Sequence, residues 1–358
     1  MNQDKKAYQS IFKATSLFGG VQVLQIVISI IRSKAIAVLL GPAGMGIVGL
    51  LTSGAQMVAG LSNLGLGTSA IKDVSAAHAA GDKRQIGLTI AVFRKWIWVT
   101  GTFGMVLVIL LSPILSYLSF GDYSYTWAFA LISLTLLVNQ LTTGYTVLLR
   151  GLRRLRHMAS GSVVGSFLGL VLTLPLYYFF GIKGIVPAII LTSLIGWGVM
   201  RHFASEIDYA QVVVGWKESW SKGKGMLKMG LHLSISGIAA AVVAYAIRAF
   251  LSQTGSVAHV GFYVAGFAII NTYVGMIFNA MGTDYYPRLS GLVGDHQAFK
   301  NCISQQAEVA LLILGPILCV FIVFLEIGIL ILYSSDFLPI VNMLQWAAIG
   351  VLFKAGSW

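Results

Sequence analysis

The residues of this chain that could do chemistry are charged side chains embedded in apolar stretches. Arg32 and Arg248 both lie inside long apolar runs. An arginine at the middle of a membrane span costs roughly 2.5–3.5 kcal/mol on insertion scales, so it normally faces a polar cavity or a charged partner. The alternative for Arg32 is that its side chain extends to the outer membrane surface, because Leu40 is only about 12 Å further along a helix. Glu326, deep in another apolar run, is a candidate proton site for ion coupling or a salt-bridge partner.

Polar side chains share a predicted helix face with each arginine. At about 100° per residue, the first such stripe consists of Gln22, Gln25, Ser29, Arg32 and Ser33, and the second of Ser234, Gly237, Tyr245, Arg248 and Ser252. A third stripe, without an arginine, consists of Thr52, Ser53, Gln56, Gly60 and Asn63. Because unpaired polar groups are costly in hydrocarbon, each stripe faces either a hydrophilic cavity or a neighbouring helix to which it hydrogen-bonds. Lys34 points about 160° away from Arg32, so the two cations lie on different faces.

The elements that must position these residues are membrane-spanning helices. Apolar residues make up 57% of the 358 residues, charged ones only 10%, and the mean hydropathy is +0.84, which predicts an all-α polytopic membrane protein. Apolar windows predict ten spans, near residues 12–40, 45–67, 96–118, 125–149, 158–180, 185–203, 229–252, 259–283, 303–332 and 338–358.

The distribution of cations predicts the orientation. Of the 24 Lys and Arg residues, the predicted outer loops hold only Lys183 when the N-terminus is placed in the cytoplasm. The formal charge of +12 therefore reflects membrane topology, and we expect no nucleic-acid partner. The four arginines between Arg150 and His157 directly follow a predicted span on the cytoplasmic side, as membrane-anchoring cations do.

An internal repeat predicts how the spans are grouped. At an offset of 215 residues, five positions recur with identical or closely related residues: Gly46, Gln56, Gly60, Gly67 and Thr68 correspond to Gly261, Asn271, Gly275, Gly282 and Thr283. An even number of spans separates equivalent positions, which predicts two parallel six-helix repeats related by an axis along the membrane normal. We expect a first lobe at 1–203, a cytoplasmic linker at 204–228 that lies at the membrane interface, and a second lobe at 229–358. The second repeat would be complete near residue 418, so we expect a truncated second lobe, with about ten of twelve helices present.

The sequence offers no catalytic or metal-binding constellation. It contains no phosphate-binding loop, no metal-ligand spacing and no cluster of histidines with carboxylates. Cys302 and Cys319 lie about five helical turns apart, too far for a disulfide. We therefore expect neither an enzyme nor a cofactor.

The segment after the first predicted helix carries a family resemblance. Residues 34–46 read KAIAVLLGPAGMG, and Gln56-Met57 and Gly65-x-Gly67-Thr68 follow. This segment resembles the signature of Wzx-type lipid-linked oligosaccharide flippases, polysaccharide biosynthesis proteins of the multidrug/oligosaccharidyl-lipid/polysaccharide exporter (MOP) superfamily. The resemblance is close over residues 10–95 and looser over the rest. It implies twelve helices of the MATE-like type in two lobes, around a cationic cavity that opens alternately to each side.

The resemblance also implies a function. It implies translocation of undecaprenyl-pyrophosphate-linked oligosaccharide units across the bacterial inner membrane by alternating access, for O-antigen (lipopolysaccharide) or a related surface polysaccharide. The implied partners are membrane lipids, this lipid-linked substrate, a proton or sodium ion, and the polysaccharide polymerase machinery. Arg32, Lys34 and Arg248 would supply positive charge to the pyrophosphate. The candidate donors to sugar hydroxyls are Gln22, Gln25, Gln56, Asn63 and Asn271.

Three alternatives are open. A lipid II flippase would share the cationic cavity. A multidrug or cation antiporter of the same superfamily would need a carboxylate-rich cavity, and this chain has more cations within its spans than that predicts. A membrane glycosyltransferase or polymerase would need a sizeable outer loop with catalytic residues, whereas the predicted outer loops are short.

Overall fold

The computed structural model of this protein describes residues 2–207, 209–210, 212–292 and 294–356, and that part of the chain is helical without a β-strand. The helices are α1 (Asn2–Asn63), α2 (Leu66–Ala79), α3 (Lys83–Phe120), α4 (Thr126–Gly151), α5 (Leu155–Phe180), α6 (Ile185–Ser205), α7 (Trp216–Thr254), α8 (Val257–Ile269), α9 (Gly275–Ser290), α10 (His296–Val323), α11 (Leu325–Leu332) and α12 (Val341–Gly356). A π-helical turn, Ile270–Val274, joins α8 to α9. The predicted all-α class is confirmed.

Seven helical segments in the described residues are long and apolar enough to cross a membrane. Gly19–Asn63 has 45 residues and would extend about 68 Å as one helix, more than twice the hydrocarbon thickness of about 30 Å. It is broken at Gly41, whose φ of 66° and ψ of −172° suit only glycine, so it provides two spans. The 51 residues of Leu155–Ser205 are divided in the same way by the 3-10 turn Gly181–Gly184. Together with the shorter apolar helix Val257–Thr272, these segments account for the ten predicted spans, and the chain is a multi-pass membrane protein.

The helix boundaries follow the internal repeat. Counting from the break at Gly41, the second half of α1 begins at Pro42, and its equivalent 215 residues later is Val257, where α8 begins. The start of α4 at Thr126 corresponds in the same way to Val341, the start of α12. Helix starts therefore recur at the spacing seen in the residue identities, which supports two copies of one membrane unit.

The structure differs from the predicted spans in three places. Residues beyond Gly65 form a separate helix, α2, because Leu64 and Gly65 both have positive φ values. The predicted span 303–332 is interrupted at Phe324, which separates α10 from α11. Helix α7 begins at Trp216, so it extends beyond the predicted span 229–252 into the predicted linker 204–228.

Contacts divide the chain into two compact units. The first unit comprises Met1–Arg32 and Ile47–Val257, and the second comprises Ser33–Gly46 and Ala258–Trp358. In the first unit a buried core forms around Phe93, Ile97 and Leu149. In the second unit the core contains Phe278, Leu314 and Ala348. The predicted division into lobes at 1–203 and 229–358 stays a prediction.

Candidate functional site

In the first unit, the polar stripe of α1 packs against α5. Gln25 Nε2 donates to Ser162 Oγ at 2.9 Å, and Arg32 Nη2 donates to the backbone carbonyl of Ser166 at 3.3 Å. The two donors are seven residues apart on α1 and their acceptors four apart on α5, so both pairs lie along one helix–helix contact. The polar stripe was expected to face either a hydrophilic cavity or a neighbouring helix, and Gln25 hydrogen-bonds to a neighbouring helix.

Small residues on α5 let the Arg32 guanidinium approach its backbone. A Cβ added at Gly169 would lie 3.1 Å from Arg32 Nη2 and 3.4 Å from Thr192 Cγ2 of α6. Gly165 and Gly161, about one and two turns earlier, face α6. The guanidinium therefore lies against α5 and close to Thr192 of α6. A side chain larger than glycine at position 169 would occupy part of this space.

Arg32 keeps hydrogen-bonding capacity in this enclosed position. Its Nε is buried and has no hydrogen-bond partner among the described residues, although a guanidinium carries five N–H groups. The phenol of Tyr177, a buried residue of α5, lies within electrostatic range of the guanidinium. An arginine in a low-dielectric setting with unused N–H groups suits a phosphate or another oxyanion, which it binds through two parallel hydrogen bonds.

Lys34 has a different partner in the second unit. Its Nζ donates to the carbonyl of Ile331 at 2.6 Å, and Ile331 lies in the last turn of α11. A cation at a helix C-terminus satisfies a carbonyl that lacks an intrahelical partner and interacts favourably with the helix dipole. The lysine of the family-like segment therefore caps α11 in this structure.

The glycines of the same segment make a close backbone contact in the second unit. A Cβ added at Gly261 of α8 would lie 1.8 Å from the Pro42 carbonyl oxygen and 3.1 Å from the backbone nitrogen of Gly46. Gly46 and Gly261 are equivalent positions of the repeat. A two-fold relation brings equivalent residues together only near its axis, so this contact agrees with the predicted parallel repeats.

The second arginine stripe is partly used in packing within the first unit. Tyr245 is buried, its hydroxyl lies 2.9 Å from Ser119 Oγ, and it donates to the carbonyl of Leu115 at 3.3 Å. Arg248, three residues further along α7, is half-buried. Tyr245 thus joins α7 to α3, which is a packing role.

The remaining predicted residues lie at separate places. Gln22 and Gln56 are exposed on α1, and Asn63 is half-buried at the end of that helix. Asn271 is exposed in the π-helical turn of the second unit. Glu326 is exposed in the first turn of α11. Among the contacts described, Gln25 and Arg32 are the only predicted site residues that bond to the same neighbouring helix, α5. Sequence reasoning did not identify that helix, because the serines and glycines of α5 resemble those of ordinary packing faces.

The segment before α7 is held against α3. Lys95 Nζ donates to the carbonyl of Val214 and lies 5.0 Å from the centre of the Trp216 ring. Trp96 Nε1 donates to the carbonyl of Ser219 at 3.1 Å, and its ring lies 5.3 Å from that of Trp220. Within the first unit, the start of α7 is therefore fixed to α3 by hydrogen bonds and aromatic contacts.

Comparison with known protein families shows the family to which this chain belongs. The family described as "polysaccharide biosynthesis protein" matches residues 35–342, most of the chain, including Pro42 and Gly46, which contact α8. The chain belongs to this family. The resemblance inferred from residues 34–68 is thus confirmed. A comparison with curated protein sequences gives no match.

Solved structures with a similar fold are transporters of the MATE family. An inward-facing multidrug resistance MATE transporter of the MOP superfamily aligns with a TM-score of 0.70 at 16% identity, over 93% of this chain and 78% of that one. A MATE protein in the bent conformation aligns with a TM-score of 0.58 at 14% identity, over 94% of this chain and 77% of that one. At such identities the likeness establishes the fold of this family member and does not extend to its substrate.

Proposed function

We propose that this family member is a flippase that moves polyprenyl-pyrophosphate-linked oligosaccharide units across the bacterial inner membrane by alternating access. The observation that carries the proposal is the Arg32 guanidinium, which lies in a contact between membrane-spanning helices and whose buried Nε has no hydrogen-bond partner in the described part of the chain. Membership of a polysaccharide biosynthesis family and a MATE-type fold support a membrane flippase or exporter. The O-antigen role and the undecaprenyl carrier are part of the proposal.

The charge at this position favours an anionic cargo. A pyrophosphate that leaves water needs fixed cations and N–H donors in place of its hydration shell. Arg32 supplies both, and Arg248 is the second cation of the proposed path. A drug cation would instead be repelled by this half-buried guanidinium, which argues against a multidrug antiporter although one of the structures with a similar fold is a multidrug transporter.

The predicted side-chain amides are proposed to bind the sugar hydroxyls, and they differ in how exposed they are. Gln22, Gln56 and Asn271 are exposed side-chain amides that can donate to sugar hydroxyls, and Asn63 is a half-buried one. Gln25 already donates to Ser162 and would have to exchange that partner for substrate.

Lys34 is bonded to the α11 carbonyl, so we assign it to helix capping ahead of substrate binding. Glu326 remains the residue that we propose for coupling transport to a proton or sodium ion. The proposed orientation places the N-terminus in the cytoplasm.

A cellular experiment tests the proposal. In a strain that lacks the gene, lipid-linked repeat units should accumulate on the inner leaflet and surface polysaccharide should disappear. The wild-type gene should restore export, the Arg32→Ala, Arg248→Ala double variant should not, and Lys183→Ala should behave as wild type. Normal surface polysaccharide in cells that carry only the double variant, at matched expression, would refute the cationic path.

A further inference from the structure

A cavity of about 500 Å³ opens in the first unit, away from Arg32, where α2, α3 and the start of α7 meet. Its geometry is set by the turn between α2 and α3. Gly81 has a φ of 71°, and the Asp82 carboxylate accepts from the backbone N–H of Gln85 at 2.9 Å, which starts α3 beside the end of α2. The predicted topology places this turn on the cytoplasmic side, next to Lys83 and Arg84.

Polar groups with unused hydrogen-bonding capacity line this cavity. The Asp73 carboxylate is half-buried, and the Thr89 side chain is only 4% exposed. Neither side chain makes a hydrogen bond to another residue within the described ranges, nor does the Gln85 amide, which also lines the cavity. Burial raises the pKa of the Asp73 carboxyl, and neighbouring Lys72 partly counteracts this shift. Gln85 is exposed and Asp73 half-buried, so these side chains present their hydrogen-bonding groups to the open cavity, where a ligand can bond to them in place of water.

Apolar side chains form the rest of the wall. Leu88, Val92 and Met226 line the cavity beside the polar groups. Lys222 also lines it, but its Nζ is already paired with Glu218 Oε1 at 2.9 Å. The net unpaired charge offered to a ligand is therefore the carboxylate of Asp73.

These features exclude several ligand classes. A single ion is far smaller than the cavity, whose volume is typical of small-molecule sites of roughly 300–1,000 Å³. A phosphate or pyrophosphate would be repelled by the Asp73 carboxylate. A hydrocarbon chain would leave the carboxylate, hydroxyl and amide unsatisfied. A sugar ring fits all three features, because its hydroxyls can donate to the carboxylate and bond to the hydroxyl and amide while its C–H face packs on Leu88, Val92 and Met226.

We propose that this cavity is a carbohydrate subsite, which holds sugar units of the lipid-linked cargo by their hydroxyls through Asp73, Thr89 and Gln85. The inference rests on the proposed flippase function and assigns two parts of the substrate to two separate sites. Arg32 serves the pyrophosphate, whereas the cavity between α2, α3 and α7 serves sugar units, in addition to the amides already proposed for sugar hydroxyls. The predicted cytoplasmic position suits the side on which a lipid-linked unit would be taken up.

Binding of two probes to the purified full-length protein in lipid nanodiscs tests this subsite. The probes are undecaprenyl pyrophosphate without sugar, and the lipid-linked oligosaccharide fraction extracted from cells of the source strain. Thr89→Val removes the hydroxyl with little change of shape, and Asp73→Ala removes the carboxylate. Each should weaken binding of the glycosylated probe about two- to tenfold, the effect of one lost hydrogen bond, and leave binding of the sugar-free probe unchanged.

Controls separate a ligand contact from a structural effect. Thr89→Ser keeps the hydroxyl and should restore binding. Thr142→Val removes a hydroxyl that bonds the Val138 carbonyl of its own helix at 2.9 Å, and should change neither affinity. Equal affinities of wild type, Thr89→Val and Asp73→Ala for the glycosylated probe would overturn the subsite, as would an equal loss for both probes. If the wild-type protein bound neither probe, the proposed flippase function would fail, and the subsite with it.

Discussion

Replacement of Gly261 by alanine tests the closest backbone contact in the second unit. The new Cβ would lie 1.8 Å from the Pro42 carbonyl oxygen and 2.7 Å from its carbon. Carbon–oxygen contacts normally begin at roughly 3.3 Å, so the segment around Pro42 and helix α8 would have to separate by about 1.5 Å. Both partners are backbone, so no rotamer change can relieve the overlap.

The expected cost follows from two opposing effects. Overpacking in a well-packed interior typically costs about 1–3 kcal/mol, and a backbone overlap belongs at the upper end of that range. Alanine regains about 1 kcal/mol of helix propensity over glycine. We therefore expect Gly261→Ala to lose about 2 kcal/mol and to lower the apparent Tm by about 4 °C. The assay is thermal unfolding of the purified protein in detergent, followed by the loss of the monodisperse peak.

Gly275→Ala is the matched control for this measurement. Gly275 occupies the equivalent of Gly60 in the repeat and begins α9, and an added Cβ there meets no atom of the described residues within 4 Å. This variant should melt at or slightly above the wild-type temperature. If Gly261→Ala and Gly275→Ala melted together, the backbone contact between Pro42 and Gly261 would be refuted.

Two further predictions concern the cations of α1. Gly169→Ala would place a methyl 3.1 Å from Arg32 Nη2, so the flexible guanidinium should shift by a few tenths of an ångström. We expect weaker binding of undecaprenyl pyrophosphate by purified protein with little change in Tm. Gly196→Ala should have no effect, because its added Cβ has no neighbour within 4 Å in the part of the chain that the structure describes. Lys34→Met removes the bond to the Ile331 carbonyl and should lower stability in thermal unfolding by about 0.3–1 kcal/mol, whereas Lys34→Arg should retain it. An unchanged Tm for Lys34→Met would contradict the capping role.

The membrane spans and the internal repeat were predictable because the residues of the segments themselves specify them. An apolar run of about 20 residues specifies a membrane helix by itself, and identical residues at a fixed offset specify the repeat. The break at Gly41 was accessible for the same reason, since a glycine followed by Pro42 interrupts a helix locally. The break after Phe324 has no such signal in the apolar run that contains it.

The partners of the predicted site residues were not accessible from sequence. The polar stripe identified Gln25 and Arg32, but the acceptors on α5 lie more than 130 residues away and depend on which helices pack together. Lys34 shows the limit most clearly. Its acceptor is a backbone carbonyl of Ile331, a group that every residue carries, so no residue type in the sequence marks it.

Translocation by the purified protein in proteoliposomes tests the central claim most directly. Vesicles loaded on one leaflet with undecaprenyl-pyrophosphate-linked oligosaccharide are sampled over time for glycan that becomes accessible to a glycosidase added outside. The wild-type protein should move the lipid-linked glycan across the bilayer. Arg32→Gln should slow it about 10- to 100-fold, as expected for a lost charge-assisted contact of roughly 1.5–3 kcal/mol. Translocation by Arg32→Gln at the wild-type rate would contradict the assignment of Arg32 to the pyrophosphate.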